Sequence, residues 1–496
     1  MLSKNSKQEQ HKTWEDVIKA CNESDDFTQE EIKSPYQPFY LKYFETLIED
    51  TLLQEKVIEI LKERKYETLH DVYEYLPFDE MKIVATPEEL EDGLMGGKVL
   101  IQLGEHDPYG LLVILTVNEK REISIPEVEY SVIGPKESFV ENLEVNLNLV
   151  RKRVPSADFI VKKIKVGYRS QTDVAIMYLK SIANDENVQT MLQRIQDIDY
   201  DEIEDSSYLA QFIEDDSNSP FPQTMDTERP DRVAGVLSEG KIVVLVDGSP
   251  SAITAPTTLI EFFSAFEDYY IAWHMASAFR LIRLFAVLFS VFATPVYVAV
   301  LTYHVELIPK DLMATLILSR EQIPFPPIIE ALFLELTIEL LREAGARLPT
   351  KVGQTIGIVG GIVIGTAAVE AGLTSNVLLI IVALAALASF TTPIYRIGNT
   401  IRLIRFPYLI IAQIWGLVGV VMLMTFNLVH LVNLKSLGRP YLEPIYPPNW
   451  KDLRDSFIRL PFSFQRERPT FTQTKDDTRF PTVEGKKKND IDENIN

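Results

Sequence analysis

Hydrophobic and polar positions follow two regimes along this chain. Up to about residue 283, short apolar runs are separated by charged stretches; beyond it, uncharged runs lengthen abruptly. Residues 284–303 (LFAVLFSVFATPVYVAVLTY) carry no charge over 20 positions. As a helix they reach about 30 Å, the thickness of a bilayer core. Pro295 within them predicts a kink that membrane helices tolerate. Residues 354–373 and 376–392 follow, divided only by Thr374 and Ser375, and read as a helical hairpin. Residues 406–434 run 29 positions without Lys, Arg, Asp or Glu. That exceeds one perpendicular span, so the pattern predicts tilt or an interfacial stretch, with Tyr408 and Trp415 at its interfacial end.

The remaining apolar segment, 324–343 (PFPPIIEALFLELTIELLRE), contains Glu330, Glu335, Glu339 and Glu343. Glu335, Glu339 and Glu343 fall on one helical face at four-residue spacing. Four carboxylates facing lipid are too costly. The segment is therefore either a helix lying at the interface or a span whose acidic face meets water or a partner. Arg280 and Arg283 precede the first span and predict an N-terminal part held in the cytoplasm. Five crossings bring Arg347, Lys351, Arg396, Arg402 and Arg405 to that same side and leave the basic C-terminal segment outside.

Before residue 284 the pattern is that of a mixed soluble domain. Residues 1–35 are polar and read as a flexible tail. Residues 40–62 carry apolar positions at helical spacing (Leu41, Phe44, Leu47, Ile48, Leu52). Strands are predicted at 98–103, 111–117, 159–166, 173–179 and 241–246, with helices at 188–195 and 207–213. Residues 257–283 read as a helix leading into the first span. The mixture predicts two small α/β units, 36–150 and 151–283 with the lead-in helix, and the uneven spacing shows no internal repeat. The fold class expected is a multi-pass α-helical membrane protein with an N-terminal cytoplasmic α/β domain made of two subdomains. Its membrane domain covers 284–434, and a C-terminal segment with a flexible end covers 435–496.

Charge sharpens this division. Residues 1–283 hold 29 Lys and Arg against 53 Asp and Glu, residues 284–434 hold eight of each sign, and residues 435–496 hold 12 against 10. The acidic excess sits in the N-terminal part. It argues against nucleic-acid binding, where cations must replace counterions, and against lying on anionic headgroups. The single cysteine, Cys21, rules out an internal disulfide and a thiolate zinc cluster. The N-terminus lacks an apolar h-region, so the first apolar segment is expected to serve as the targeting signal.

Several long strings resemble the A-subunit family of bacterial spore germinant receptors, the GerA type. They are VIGPKESFVENLEVNLNLVRKRVPSADF (132–159), RPDRVAGVLSEGKIVVLVDGSP (229–250), EDYY (267–270), and the stretch 324–376 that begins PFPPIIEALFLELTIELLREAGARLPTKVG. With the layout, the resemblance covers about residues 40–460. It implies a subunit acting with a transporter-like B subunit that senses nutrient and a lipoprotein C subunit, in the inner membrane of the spore. It further implies a homo-oligomer that conducts ions and starts germination. The nutrient pocket is then in another subunit.

The residues themselves offer candidate sites. Gly353, Gly357, Gly361 and Gly365 recur every four positions and form a stripe for close helix packing, within the chain or between subunits. The opposite face would present Thr355, Ile358, Ile362, Val363 and Thr366 as candidate pore lining, an apolar constriction that can gate by dewetting. Glu335, Glu339 and Glu343 are a candidate acidic pore mouth, or a wet helix face, or ion-pair partners of Arg342 and Arg347. Arg151, Lys152 and Arg153 form a basic run that is either solvated or set against an acidic neighbour. The segment 134–138 (GPKES) lacks Walker spacing, and Asp247–Gly248 reads as a tight turn. The six histidines show no metal spacing, so neither a cofactor nor an enzyme is expected. Asn427 and His430 read as helix-packing hydrogen bonders. The alternatives are a membrane-anchored signalling scaffold or a small-ion transporter subunit, the latter disfavoured by the small helix set without an inverted repeat.

Overall fold

Period-two alternation builds the first sheet. Phe39, Leu41 and Tyr43 of β2 (Pro38–Phe44) share one buried face with Val99 and Ile101 of β4 (Lys98–Gln102) and Leu111 and Val113 of β5 (Gly110–Ile114). Leu100 and Leu112 point to the opposite face, where Val17 and Cys21 of helix α1 (Trp14–Cys21) and Leu90 and Leu94 of α2 (Pro87–Met95) cover them. Both faces are covered, which is why the strand sequences read as unbroken apolar runs. With β1 (Phe27–Lys33) and β3 (Met81–Val84), the antiparallel order is β1-β2-β4-β5-β3. These elements belong to a computed structural model that describes residues 13–78, 80–115, 129, 131, 133–347, 360–361 and 365–479.

Two expectations change here. Residues 13–35 are not a flexible tail: α1 and β1 lie within them, and Val17, Cys21, Phe27 and Ile32 are buried. A capping box between Thr13 and Asp16 starts α1. Residues 40–44 form strand rather than helix, because alternation at Phe39, Leu41 and Tyr43 outweighs the helical spacing; a 3-10 turn follows at Glu45–Leu47 and α-helix begins at Asp50.

The second sheet repeats the plan of the first. Strands β6 (Phe159–Val166), β7 (Thr172–Leu179), β8 (Met225–Thr227), β9 (Ile242–Val246) and β10 (Ala252–Ala255) pair antiparallel in the order β6-β7-β9-β10-β8. Helix α3 (Leu143–Arg153) precedes β6 as α1 precedes β1. Helices α4 (Asp185–Gln196) and α5 (Ser206–Ile213) fill the β7–β8 connection, and α6 (Pro230–Ser238) precedes β9 as α2 precedes β4. The chain thus contains an internal structural repeat, contrary to the reading from spacing. A short echo survives in sequence: Ser24-Asp25-Asp26-Phe27 enters β1 and Ser156-Ala157-Asp158-Phe159 enters β6.

The repeats are tied by a buried ion pair. Arg151 on α3 donates to Asp26 through Nη2 (2.6 Å) and Nε (2.9 Å) and to Ser24 Oγ (3.1 Å), and its guanidinium lies 4.1 Å from the Phe44 ring. Asn148, one turn earlier, donates to the Thr46 carbonyl. Arg151 is therefore not solvated; its acidic neighbour is Asp26. In the RPDR string, Arg229 pairs with Asp231 (2.7 Å), Arg232 pairs with Glu129, and both arginines are buried. The Asp247–Gly248 turn has φ +86° at Gly248, and Asp247 Oδ1 accepts from the Leu143 amide at the start of α3. Ser249 donates to Asp205 (2.7 Å). Burial opposes ionisation of Asp205, yet hydrogen bonds from Ser207 and Ser249 prevail and hold its carboxyl below the usual range.

Residues 460–479 also belong to this sheet unit. Thr472 accepts from Asn187 of α4 (3.1 Å), the Lys475 amide donates to the Ile182 carbonyl (2.9 Å), and Arg479 pairs with Glu239 (2.7 Å). The segment forms a strap across the second repeat.

The other unit comprises Asp215–Gln223 and Thr257–Arg459 and is helical. Short 3-10 turns occupy Leu259–Phe263 and Phe266–Tyr269, so the lead-in is shorter than expected. Helix α7 (Trp273–Tyr303) follows, then α8 (Lys310–Arg320), α9 (Pro327–Ala346), α10 (Asn376–Ser389) and α11 (Tyr395–Asn433). By length and composition, α7 and α11 can cross a membrane, and α10 is a shorter apolar helix.

Helix α11 does not run straight. Gly416 sits at φ 62°, ψ −145°, outside helical geometry. Asn427 Nδ2 reaches Tyr408 Oη at 3.1 Å, although 19 residues of straight helix would separate them by about 28 Å. The two legs, 395–415 and 417–433, therefore double back as a hairpin. This corrects the reading of 406–434 as one tilted span. A Cβ at Gly419 would come within 2.7 Å of Ile411 Cγ2, so the legs approach at glycine distance. At the apex the Tyr303 hydroxyl donates to the carbonyls of Gln413 (2.8 Å) and Ile414 (3.2 Å), groups that the broken helix would otherwise orphan.

Candidate functional site: a ladder of ion pairs in the helical unit

Helix α9 begins with Pro at N1 and buries Glu330 and Glu335, while its later glutamates approach the surface. Glu330 comes first and is buried. Its Oε1 lies 2.8 Å from Arg320 Nη2 at the end of α8, and its Oε2 accepts from the Ser375 amide (3.1 Å) at the N-cap of α10. A carboxylate there complements the positive end of α10. Ser375 Oγ accepts from Leu378 N, capping the same helix.

Glu335 is as fully buried as Glu330, 1% exposed. Its Oε1 accepts from Thr294 Oγ1 of α7 (2.9 Å), and its Oε2 accepts from Arg405 Nη1 of α11 (2.5 Å). Arg405, 2% exposed, also donates through Nη2 to Ser290 Oγ (2.7 Å). One carboxylate and one guanidinium thus join α7, α9 and α11. Glu339 follows between Arg342 (3.3 Å) and Arg402 (3.7 Å), half-buried, and Arg342 Nη2 donates to Ser389 of α10 (3.2 Å). Glu343 pairs with Arg347 on the exposed surface. An apolar bundle accommodates four glutamates in one helix because each faces an arginine.

The three acids of the candidate pore mouth accordingly occupy three environments, from buried to exposed. Of the glycine stripe, Gly361 and Gly365 are described; Gly353 and Gly357 lie outside the described residues, as do Thr355, Ile358, Ile362 and Val363. A Cβ at Gly361 would meet nothing within 4 Å among the described residues, and one at Gly365 would make ordinary contact with Leu379 (3.7 Å). The tight approach is at Gly360, where a Cβ would stand 2.6 Å from Leu341. Thr366 is exposed. Among the described residues there is no group of three or more His, Cys, Asp or Glu fit for a metal ion.

Ser290, Thr294, Arg320 and Arg405 were not singled out from sequence as partners. Arg402 and Arg405 look like charges marking a membrane edge, yet Arg405 is sequestered. The usable signal was the matched spacing of Glu335 and Glu339 with Arg402 and Arg405, an acid pair and a base pair each within one helical turn. Arg280 and Arg283 are buried as well, both on Asp268 at 3.1 and 3.2 Å.

Comparison with known proteins places the chain. The family model described as Bacillus/Clostridium GerA spore germination protein matches residues 15–471. The chain is 52% identical over 487 residues to spore germination protein GerQA of Bacillus cereus, covering 97% of this chain and 98% of that one. It is 46% identical over 450 residues to spore germination protein GerIA of Bacillus cereus, covering 90% and 67% respectively. A crystal structure of the N-terminal domain of the A subunit of the Bacillus megaterium spore germinant receptor GerK3 is 26% identical, with a TM-score of 0.37, covering 48% of this chain and 91% of that chain. The match across nearly the whole length bears out the resemblance read from the long strings: the chain belongs to the GerA family of spore germination proteins.

Proposed function

We propose that this chain is the A subunit of a nutrient germinant receptor in the spore inner membrane, and that copies of it assemble into a nutrient-gated ion channel. Nutrient recognition falls to a transporter-like B subunit, and a lipoprotein C subunit completes the receptor. The observation that carries the membrane reading is the inverted polarity of the helical unit. Its outward positions are large and apolar (Phe285 69% exposed, Leu340 70%, Leu387 63%, Phe426 69%), while Glu330, Glu335 and Arg405 are turned inward and paired. A body of that kind suits hydrocarbon as its solvent.

The strap bears on topology. Residues 460–479 share a compact unit with residues 13–214, which favours an even number of crossings between residues 257 and 459 rather than five. The N-terminal domain, the strap and the entry to α7 then lie on the cytoplasmic side. Packing of the glycine stripe against a second copy would leave Thr355, Ile358, Ile362, Val363 and Thr366 as candidate lining, with Glu339 and Glu343 nearer solvent.

The reading is tested by reconstituting the receptor in liposomes with and without this chain and measuring cation flux on nutrient addition. Flux that requires this chain is expected. Equal flux without it would leave the chain as a membrane-anchored scaffold.

A further inference from the structure

The charges along α9 do not balance within the helical unit. Three of its glutamates have an arginine each: Glu330 has Arg320, Glu335 has Arg405 and Glu343 has Arg347. Glu339 is instead shared by Arg342 and Arg402. Among the described residues, five arginines thus answer four glutamates, and the surplus cation falls at Glu339. The sharing shows in the distances. Glu339 lies 3.3 Å from Arg342 and 3.7 Å from Arg402, whereas Arg320 approaches Glu330 to 2.8 Å. A carboxylate divided between two guanidinium groups compensates neither of them fully.

The other groups around the two arginines are neutral. Arg342 Nη2 donates to Ser389 Oγ, its guanidinium lies 4.4 Å from the Phe390 ring, and Arg402 donates to Asn399 Oδ1. The carboxyl end of α10 at Ser389 and the amino end of α11 at Tyr395 are close in sequence, so their opposite dipole charges offset. Donors are also left over. Arg342 Nε and Arg405 Nε are shielded from solvent and, among the described residues, meet no acceptor. Access from outside remains, because the side chains of Arg342 and Arg402 are 17% and 13% exposed. The adjoining turns expose Leu387, Phe390, Tyr395 and Leu403, a surface that suits acyl chains with aromatic rings at interfacial depth.

We propose that Arg342 and Arg402 bind a phosphate group, supplied by an anionic phospholipid whose chains lie along that surface. Guanidinium forks match phosphate oxygens in pairs. Basic pockets between membrane helices take anionic headgroups for this reason. A headgroup with a single net negative charge neutralises the surplus, whereas a zwitterionic one leaves it in place. The lipid source rests on the membrane reading; the phosphate site itself does not.

Thermal unfolding of the full chain in neutral detergent tests the site, with phosphatidylglycerol, phosphatidylcholine or inorganic phosphate added. A ligand of the folded state raises the midpoint by mass action, and phosphatidylglycerol should do so at a concentration about tenfold or more below that of phosphatidylcholine. Arg342→Gln with Arg402→Gln should remove this preference. Arg347→Gln, which deletes an equal charge from the exposed surface, should keep it. If inorganic phosphate stabilises as well as phosphatidylglycerol, and the double variant loses that effect, the site stands and its anion comes from solution. A wild-type chain with neither a lipid preference nor a phosphate effect overturns the proposal, whether or not the double variant folds. So does a preference that survives in the double variant or vanishes in Arg347→Gln. If the chain stays dissolved without detergent, the membrane reading fails instead, and the inorganic phosphate arm still judges the site.

Discussion

Arg405 and Glu335 bind three helices through one charged contact, and its value depends on both partners being present. Removing the guanidinium alone leaves a carboxylate whose only remaining hydrogen-bond donor among the described residues is Thr294. Breaking one side of a buried pair costs roughly 3–5 kcal/mol, whereas replacing both partners by apolar groups is often neutral. Arg405→Met should therefore destabilise the full chain strongly, and the double change of Glu335→Met with Arg405→Met should recover most of the loss. Thermal unfolding in detergent reads both, and equal losses would show that the pairing is not what the bundle relies on. This residue-level logic was only half legible in the sequence. The acids on α9 were visible at their spacing, but the partner came from a helix 70 positions away. A positive charge near an apolar run looks the same whether it faces headgroups or a buried acid.

At the scale of elements, the hairpin decides how the last apolar run is read. Twenty-nine uncharged residues suggest one long span, and the reversal rests on a single glycine. Gly416 needs positive φ, and a Cβ there would meet His304 Nε2 at 3.0 Å and Tyr303 Cδ2 at 3.1 Å. Gly438 also has positive φ (77°) but open space around it. Alanine at either position carries a backbone cost of about 1–3 kcal/mol, and at Gly416 the ψ of −145° is one that glycine alone adopts readily. Only Gly416→Ala adds a steric clash, so it should lower stability distinctly more than Gly438→Ala. The difference in thermal midpoints checks this, and equal shifts would remove packing at the apex from the explanation. The strands were easier to read than this turn. KVLIQL and KIVVLV carry their burial in composition, whereas the reversal at Gly416 depends on groups from α7 that no local pattern announces. The repeat stayed hidden for a related reason. Its two copies share element order and strand pairing but little sequence beyond the Ser-x-Asp-Phe entries, and connection lengths between the strands differ.

For the whole molecule, the two repeats have unequal neighbours. The first is covered at Thr46 and Asp26 by α3 of the second. The second is covered by the strap, where Lys475 bonds the Lys180 and Ile182 carbonyls and Phe471 packs near Lys241. Stacked repeats need a terminal cap for solubility and stability. A chain ending at Arg459 should lose about 2–3 kcal/mol in the sheet unit, a fall of roughly 5–10 °C in its midpoint. A chain ending at Arg479 should keep it. If the shorter chain melts with the longer one, the strap is not a cap.

The strap also imposes an order on biogenesis. The strands it covers leave the ribosome first, but the strap follows only after all of Thr257–Arg459 has been translated. On the proposed membrane reading, the second repeat would wait, uncapped, while the apolar helices are inserted. A chain stalled or misinserted midway would display a naked repeat edge to chaperones and proteases, and only a chain that has brought its far end back to the starting side can close it. Completion of the sheet unit would then serve the cell as a checkpoint on correct insertion.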